Sequence, residues 1–256
     1  MLTLKDPSLL RNRNFIDGQW VAGGAGTIDV TNPSNGEVVA TIANGDAADA
    51  EGAVEAAAVA FKGWSRTPAK ERAKLLRGWF DLLMANADDL GAIMTAEQGK
   101  PLFESKGEIA YGASFIEYYA EECKRVMGDT IPTISNDRRL QTYKQPVGVV
   151  GCITPWNFPN AMIGRKAGPA LAAGCTMVIK PATETPLSAL AMCDLADRAG
   201  VPKGVINVVA GSDSSGIGKV LTQHEQIAKL TFTGSTAVGK ILMQQCAAGV
   251  KKLSLE

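Results

Sequence analysis

The alternation of hydrophobic and polar positions changes its rhythm near residue 145. Before that point, apolar residues recur with helical period over long stretches. After it, short runs rich in Val and Ile, each bounded by Gly or Pro, alternate with helical stretches. The short runs predict five strands, at residues 147–153, 175–179, 205–209, 228–232 and 252–256. This order predicts an α/β fold with a doubly wound parallel sheet and right-handed crossovers.

The first 144 residues predict small β elements followed by helices. An Asp17-Gly18 pair between apolar residues is a hairpin signal, and residues 28–30 and 38–42 are predicted as further short strands. Asp46 is a candidate N-cap for a helix over 47–64, and Thr67 is one for a helix running to Asn86. Two more helices are predicted over 88–98 and 102–127, followed by a hairpin of strands 130–134 and 140–144. Because a lone hairpin is marginal in water, we expect it to lie on another sheet, such as that of a second subunit.

Composition and charge narrow the class of protein. The chain has 256 residues, 46% of them hydrophobic, and 26 basic residues balance 26 acidic ones. This balance gives no reason to expect nucleic acid or a membrane as a partner, and no apolar run approaches the roughly 20 residues of a membrane span. The polar N-terminus has no signal-peptide core, and the five scattered cysteines lack metal-site or redox spacing. We therefore expect a cytoplasmic protein with buried, reduced thiols and no metal site.

Candidate chemistry lies in the loops that follow the predicted strands. Residues 180–185, 211–218 and 233–236 carry Gly, Ser, Thr or Lys beside the start of a helix. Helix N-termini favour phosphate, and in parallel sheets ligands bind beyond the carboxyl ends of the strands. The pattern predicts a nucleotide site. Ordinary β-α turns are the alternative, because neither Gly-x-Gly-x-x-Gly nor a Walker motif is present.

Several longer motifs extend this interpretation along nearly the whole chain. They are Glu97-Gln98-Gly99-Lys100-Pro101, Ile153-Thr154-Pro155-Trp156-Asn157-Phe158-Pro159, Gly168-Pro169-Ala170-Leu171-Ala172-Ala173-Gly174, Lys180-Pro181-Ala182, Phe232-Thr233-Gly234-Ser235-Thr236 and Leu253-Ser254-Leu255-Glu256. In their order and spacing they resemble the aldehyde dehydrogenase superfamily, and most of all its succinate-semialdehyde branch. The resemblance implies a Rossmann-like cofactor domain, with NAD(P)-dependent oxidation of succinate semialdehyde to succinate in the complete enzyme. The alternatives are another aldehyde, such as glutarate semialdehyde, or a stand-alone, non-catalytic nucleotide-binding module.

The resemblance also implies a cofactor site at the strand ends. Trp156 and Ile153 resemble walls of the cofactor pocket, Lys180 the residue that binds the adenosine ribose, and Gly234 and Ser235 the residues facing the pyrophosphate. Thr183 stands where many NAD-preferring members carry Glu. A hydroxyl can donate to a 2′-phosphate that a carboxylate would repel, so we expect NADP, with NAD as the alternative. The full expected set is Ile153, Thr154, Pro155, Trp156, Asn157, Lys180, Pro181, Ala182, Thr183, Gly218, Phe232, Thr233, Gly234 and Ser235.

Three residues resemble the family's catalytic and substrate-binding groups. Asn157 resembles the amide that donates to the developing oxyanion, and Glu256 the general base for thioester hydrolysis. Arg165 resembles the arginine that binds the distal carboxylate of the substrate, a role that suits a guanidinium. Structural alternatives remain for each: a turn-stabilising Asn, a frayed terminal Glu and a surface ion pair.

The resemblance also implies what this sequence lacks. The family nucleophile is a cysteine in a Phe-x-x-x-Gly-Gln-x-Cys segment, and none of the five cysteines has that context. We expect residues 1–129 and 145–256 to form the cofactor domain, residues 130–144 an oligomerisation hairpin, and the catalytic domain to be absent. The chain alone should then be inactive, whereas the complete enzyme should be a homo-oligomer. We further expect a dinucleotide to lie in one groove lined by Trp156, Lys180 and Ser235.

Overall fold

The computed structural model describes residues 2–256, in which a short 3₁₀ helix (Pro7–Leu9) precedes two small antiparallel pairs of strands. The first pair turns at Asp17 and Gly18, both of which have positive φ, as a two-residue type I′ hairpin requires. The second pair forms a separate two-stranded sheet. These strands are β1 (Asn14–Ile16), β2 (Gln19–Val21), β3 (Thr27–Thr31) and β4 (Val38–Ala43).

Four helices follow: α1 (Ala47–Trp64), α2 (Ala69–Ala85), α3 (Ala87–Gln98) and α4 (Leu102–Glu122). Asp46 caps α1 in a reciprocal capping box with Asp49, so that prediction is confirmed. The prediction that Thr67 caps α2 is wrong. Pro68 occupies the N-cap position, and the Thr67 hydroxyl instead donates back to the carbonyl of Gly63 at 3.3 Å.

The predicted hairpin after the helices is present but short. Its strands, β5 (Thr130–Ile131) and β6 (Leu140–Gln141), pair over two residues each and form an isolated, exposed two-stranded sheet. The predicted strand lengths of five residues were therefore too long. Its role in oligomerisation, and the division of the chain into domains around it, stay predictions.

The C-terminal part alternates strands with helices, as the sequence predicts. The strands are β7 (Val149–Ile153), β8 (Thr176–Lys180), β9 (Ile206–Val208), β10 (Ile227–Phe232) and β11 (Lys252–Leu255). The helices between them are α5 (Ala161–Ala172), α6 (Pro186–Arg198), α7 (Ser214–Gln223) and α8 (Thr236–Ala247). Gly174 and Gly200, which follow α5 and α6, adopt the left-handed conformation that ends many helices.

These strands and the first hairpin form one seven-stranded sheet in the order β11-β10-β7-β8-β9-β1-β2. The five C-terminal strands are parallel, and β1 joins β9 antiparallel. Asn14 and Asn207 fasten this junction. The Asn14 side chain accepts from the Ala210 amide at 2.9 Å, and the Asn207 side chain accepts from the Asp17 amide at 3.0 Å.

Helices cover both faces of the sheet, which confirms the doubly wound prediction. Successive strand residues point to opposite faces. Val150 and Ile179 pack into a core shared with α2 to α6, whereas Val149 and Val178 pack into a second core with α1, α7 and α8. All five cysteines are free and buried, as predicted. None of the helices among residues 2–256 combines the length and apolar character that a bilayer span would require.

Candidate active site at the strand ends

The carboxyl ends of four parallel strands lie side by side and carry most of the predicted site residues. Ile153 is in register with Lys180 on one side and with Phe232 on the other. Backbone hydrogen bonds continue this ladder into the loops: Thr154 N–H to Lys180 O at 3.2 Å and Thr233 N–H to Ile153 O at 3.2 Å. Glu256 N–H also donates to Phe232 O at 3.0 Å. The fold therefore brings residues 153–154, 180, 232–233 and 256 together.

Lys180 is the buried cation of this edge. Its side chain is 4% exposed, and its ammonium donates to the carbonyl of Pro181 at 3.3 Å. Burial lowers the pKa of Lys180, an effect that the carboxylates of Glu184 and Asp213 oppose. A lysine held here keeps donors for a polar ligand at the end of β8.

Thr183 makes a contact that the amino-acid sequence did not predict. Its hydroxyl donates to the carbonyl of Gly211 at 3.1 Å and so ties the loop after β8 to the loop after β9. This contact uses the one hydrogen of a hydroxyl that can rotate, so the expected donation to a 2′-phosphate stays a prediction. Thr183 also carries no negative charge that would repel such a phosphate.

The loop before α7 is organised by its own polar side chains. Asp213 caps the helix by accepting from the Gly216 amide at 2.8 Å, and Asn44 accepts from the amide of Ser212 at 2.8 Å. A Cβ built on Gly218 would meet no atom within 4 Å, although the residue itself is buried. The fold thus leaves space beside Gly218, in the part of α7 where a cofactor contact is expected.

The turn before α8 is exposed and rich in donors. Ser235 caps the helix by accepting from the Val238 amide at 3.3 Å. A Cβ built on Gly234 would approach the outer edge of the Phe232 ring to 2.6 Å. A larger residue at this position would therefore require that ring to shift.

Trp156 and Asn157 lie on the loop between β7 and α5, and both are exposed, Trp156 by 55%. Lys100 donates to the backbone carbonyl of Asn157 at 3.0 Å, and its ammonium lies 3.9 Å from the centroid of the Phe158 ring. The side-chain amide of Asn157 therefore projects from a loop whose backbone is held by a residue of another segment.

Arg165 and Glu256 are in direct contact. The Arg165 guanidinium lies 3.1 Å from Glu256 Oε1, and the Thr233 hydroxyl lies 3.1 Å from Glu256 Oε2. The two charged side chains of this polar cluster are 34% and 52% exposed, so a surface ion pair stays an alternative for Arg165 beside the expected site role. The roles of both residues in a reaction stay predictions.

Lys166 completes this cluster, and sequence reasoning missed it. Its ammonium donates to the Thr233 hydroxyl at 2.6 Å, and the side chain is 8% exposed. Burial lowers the pKa of Lys166, while the nearby Glu256 carboxylate raises it. The available signal was its position next to Arg165 on a helix that starts at the predicted crevice.

The residues at this edge fit a dinucleotide. The N-terminus of α8 is exposed and can receive phosphate, Lys180 supplies a cation, and Gly218 borders open space. The Thr154 hydroxyl is buried and has no hydrogen-bond partner among residues 2–256. Within the same residues, no group of three or more His, Cys, Asp or Glu side chains could hold a metal ion. That Trp156, Lys180 and Ser235 line a single groove stays a prediction.

Comparisons with a family model and with individual known proteins point to the same family. Residues 20–256 match the model of the Aldehyde dehydrogenase family. The chain is 58% identical to 3-sulfolactaldehyde dehydrogenase of Pseudomonas putida and 56% identical to glutarate-semialdehyde dehydrogenase of Pseudomonas aeruginosa. It is 55% identical to the NADP(+) succinate-semialdehyde dehydrogenase of Escherichia coli. Each alignment covers 100% of this chain and 53% of the relative, so the chain spans about half the length of the curated relatives it matches.

The fold agrees with a solved structure of the same class. The crystal structure of an aldehyde dehydrogenase from Brucella melitensis biovar abortus 2308 superposes with a TM-score of 0.98 at 55% identity. The match covers 100% of this chain and 53% of that protein.

Proposed function

The chain belongs to the aldehyde dehydrogenase family, and from this premise we propose that it supplies the cofactor-binding half of an NADP-dependent succinate-semialdehyde dehydrogenase. The observation that carries the proposal is the shared edge of β7, β8, β10 and β11. It joins Lys180, Ile153, Phe232 and Glu256 through successive backbone contacts. A site built from several strand ends is the arrangement in which parallel α/β sheets bind nucleotides.

The cofactor we propose is NADP, with NAD as the alternative. The relative from E. coli is named for NADP(+), and residues 180–183 carry a lysine and no carboxylate. Lys180 and Thr154 would hold the cofactor at the ends of β8 and β7, and Gly234 and Ser235 at the start of α8. When bound, the nicotinamide supplies a hydride acceptor; the chain's own residues bind and orient the reactants.

The substrate we propose is an aldehyde with an acidic group at its far end. The three aldehydes named in the relatives each carry such a group, a carboxylate or a sulfonate. The planar guanidinium of Arg165 can donate two parallel hydrogen bonds to this acid, and the side-chain amide of Asn157 can donate one to the aldehyde oxygen. Because Arg165 already contacts Glu256, a substrate acid would compete with that carboxylate for the guanidinium.

The nucleophilic thiolate does not come from the described cysteines. All five are buried, and burial raises the pKa of each thiol, for Cys152 to about 12. A neutral, enclosed thiol cannot attack an aldehyde. For the chain on its own, this observation favours the second candidate function, a nucleotide-binding module that binds cofactor without turnover.

Calorimetric titration of the chain with NADP and NAD tests the cofactor proposal. We expect tighter binding of NADP. Lys180→Met should weaken that binding at least about tenfold, the equivalent of one charge-assisted hydrogen bond. Lys203→Met is the matched control, since the Lys203 side chain is 76% exposed. Tighter binding of NAD, or equal affinity for NADP in the wild type and Lys180→Met, would refute this assignment.

The substrate proposal needs both halves of an enzyme. In a chimaera, this chain would replace the matching half of the E. coli relative, with which it shares 55% identity. We expect Arg165→Ala to raise KM for succinate semialdehyde by about tenfold to a hundredfold, because a charge-assisted pair is lost, and to leave KM for butanal nearly unchanged. Arg77→Ala, at a half-exposed position of α2, serves as the control. Equal effects on both aldehydes would remove Arg165 from the substrate site.

A further inference from the structure

A buried ion pair lies behind the loop that carries Asn157. Lys100, between α3 and α4, and Glu108, on α4, meet at 2.5 Å, and their side chains are 11% and 2% exposed. Removing two charges from water is unfavourable unless further hydrogen bonds satisfy them. The other contacts of this pair therefore indicate what it does.

The remaining contacts all fall on one short segment of chain. Lys100 Nζ donates to the Asn157 carbonyl at 3.0 Å and lies 3.9 Å from the Phe158 ring centroid. Glu108 Oε1 accepts from the amides of Asn160 and Ala161 at 3.0 and 3.1 Å. The cation thus holds the start of the segment, and the carboxylate holds the first turn of α5.

This arrangement fixes the backbone at Asn157 and leaves its side chain exposed. Gln98 adds a contact of 3.5 Å to the same carbonyl. An oxyanion donor must stand within about 0.5 Å of its working position, so a flexible loop would not suffice. A buried ion pair that holds the backbone at both ends of the five residues 157–161 provides the required rigidity.

We propose that Lys100 is a positioning residue for Asn157, with Glu108 as its anchor. The proposal rests on the proposed function only for the role of the Asn157 amide. Lys100 acts through the carbonyl of Asn157 and the ring of Phe158, and it touches neither aldehyde nor cofactor.

The test compares two matched double variants of the chain. Lys100→Met/Glu108→Gln removes the cation without stranding a buried carboxylate, and the glutamine oxygen still accepts from Asn160 and Ala161. Lys106→Met/Glu104→Gln makes the same types of substitution at two more exposed positions of α4. Backbone ¹⁵N order parameters are measured for residues 156–158, without cofactor or aldehyde.

We expect order parameters near 0.85 for residues 156–158 in the wild type and in the control, and values below about 0.6 in Lys100→Met/Glu108→Gln. Residues 149–152 of β7 should stay rigid in all three proteins. Unchanged values at 156–158 would overturn the proposal. A fall along the whole sheet would also overturn it, because Lys100 would then serve the fold in general.

A kinetic comparison in the chimaera separates positioning from binding. Lys100→Met/Glu108→Gln should lower kcat by about tenfold to a hundredfold, as misplacement of a catalytic group does, with little change in KM for NADP. Parallel falls in cofactor affinity and kcat would contradict the positioning role. Failure of the wild-type chain to bind NADP would instead contradict the proposed function and leave the order parameters intact.

Discussion

Lys180 shows at the scale of one residue how the proposed binding site would conflict with stability. Its ammonium is nearly enclosed at the end of β8, with the Pro181 carbonyl as its hydrogen-bond acceptor. Burial of a charged group with so few partners destabilises the fold. The residue is therefore better explained by a ligand at the strand ends than by packing.

Lys180→Met should stabilise the chain at neutral pH. Burial lowers the pKa of Lys180 below that of a free lysine, about 10.4. The stability of the wild type relative to the variant therefore falls as pH drops from that value through the folded pKa, and then levels off. We expect the variant to gain about 1–4 kcal/mol at pH 7, with a smaller gap at pH 10.5.

Urea unfolding at the two pH values measures this difference. Lys203→Met, at an exposed site, should show no such pH dependence. A constant gap between wild type and Lys180→Met across the range would contradict the account.

The sequence predicted the positions of the strands but not the long-range contacts of individual side chains. The strand ends and the loops after them were correctly placed by hydrophobic pattern alone. Lys100, Glu108 and Lys166 were missed because their partners lie 52 to 67 residues away, and helical period does not say which helix a charged side chain will meet. The hydrogen bond of Thr183 to the Gly211 carbonyl was missed for the same reason, because the acceptor lies 28 residues away.

At the scale of elements, the sequence correctly predicted the features that depend only on neighbouring residues. Asp46 caps α1, and Gly174 ends α5, because each effect involves only adjacent residues. Thr67 failed as a cap because the helix begins one residue later than the motif suggested, and Pro68 occupies the capping position. The β5–β6 hairpin was overpredicted because alternation alone does not supply a surface for the strands to pack on.

The close packing of the β1–β2 turn can be tested by adding one methyl group, that is, by replacing glycine with alanine. Gly18 has φ +73°, and a Cβ there would approach Lys203 Cβ to 2.7 Å. Gly26 has φ +84°, and a Cβ there would meet nothing within 4 Å. We expect Gly26→Ala to lower the free energy of unfolding by about 1–2 kcal/mol, the cost of left-handed backbone. Gly18→Ala should cost about 1–3 kcal/mol more, because it also overpacks against the loop before β9.

Chemical denaturation of both variants checks the prediction. Both variants strain the backbone, but only Gly18→Ala contacts Lys203. The difference between their free energies of unfolding therefore measures the steric contact alone. Equal losses of stability would show that the turn and the Lys203 loop can separate without cost.

At the scale of the whole molecule, the two hairpins have opposite relations to the core. β5 and β6 are exposed at every residue, and their ends meet where the Asp129 amide donates to the Thr142 hydroxyl at 2.9 Å. β1 belongs to the main sheet, and its Phe15 is 2% exposed. Similar local patterns thus contribute very differently to stability.

Replacement of residues 130–141 by a short Gly-Ser linker should change the free energy of unfolding by less than about 0.5 kcal/mol. Phe15→Ala should lower it by about 3–5 kcal/mol, because a large buried ring leaves a cavity. Urea unfolding midpoints of both variants, compared with that of the wild type, test these two expectations. A large loss on removing 130–141 would show that this hairpin packs on the chain's own core.

The junction of β1 with β9 also bears on how the chain is made. The amide of Asp17 finds its acceptor, Asn207, 190 residues further along the sequence. At ribosomal rates of 5–20 residues per second, the first hairpin waits roughly 10–40 s for the strand that completes it. Through that interval Phe15, which is buried in the folded chain, lacks the β9 strand with which it pairs, and we expect this part of the sheet to be completed late in synthesis.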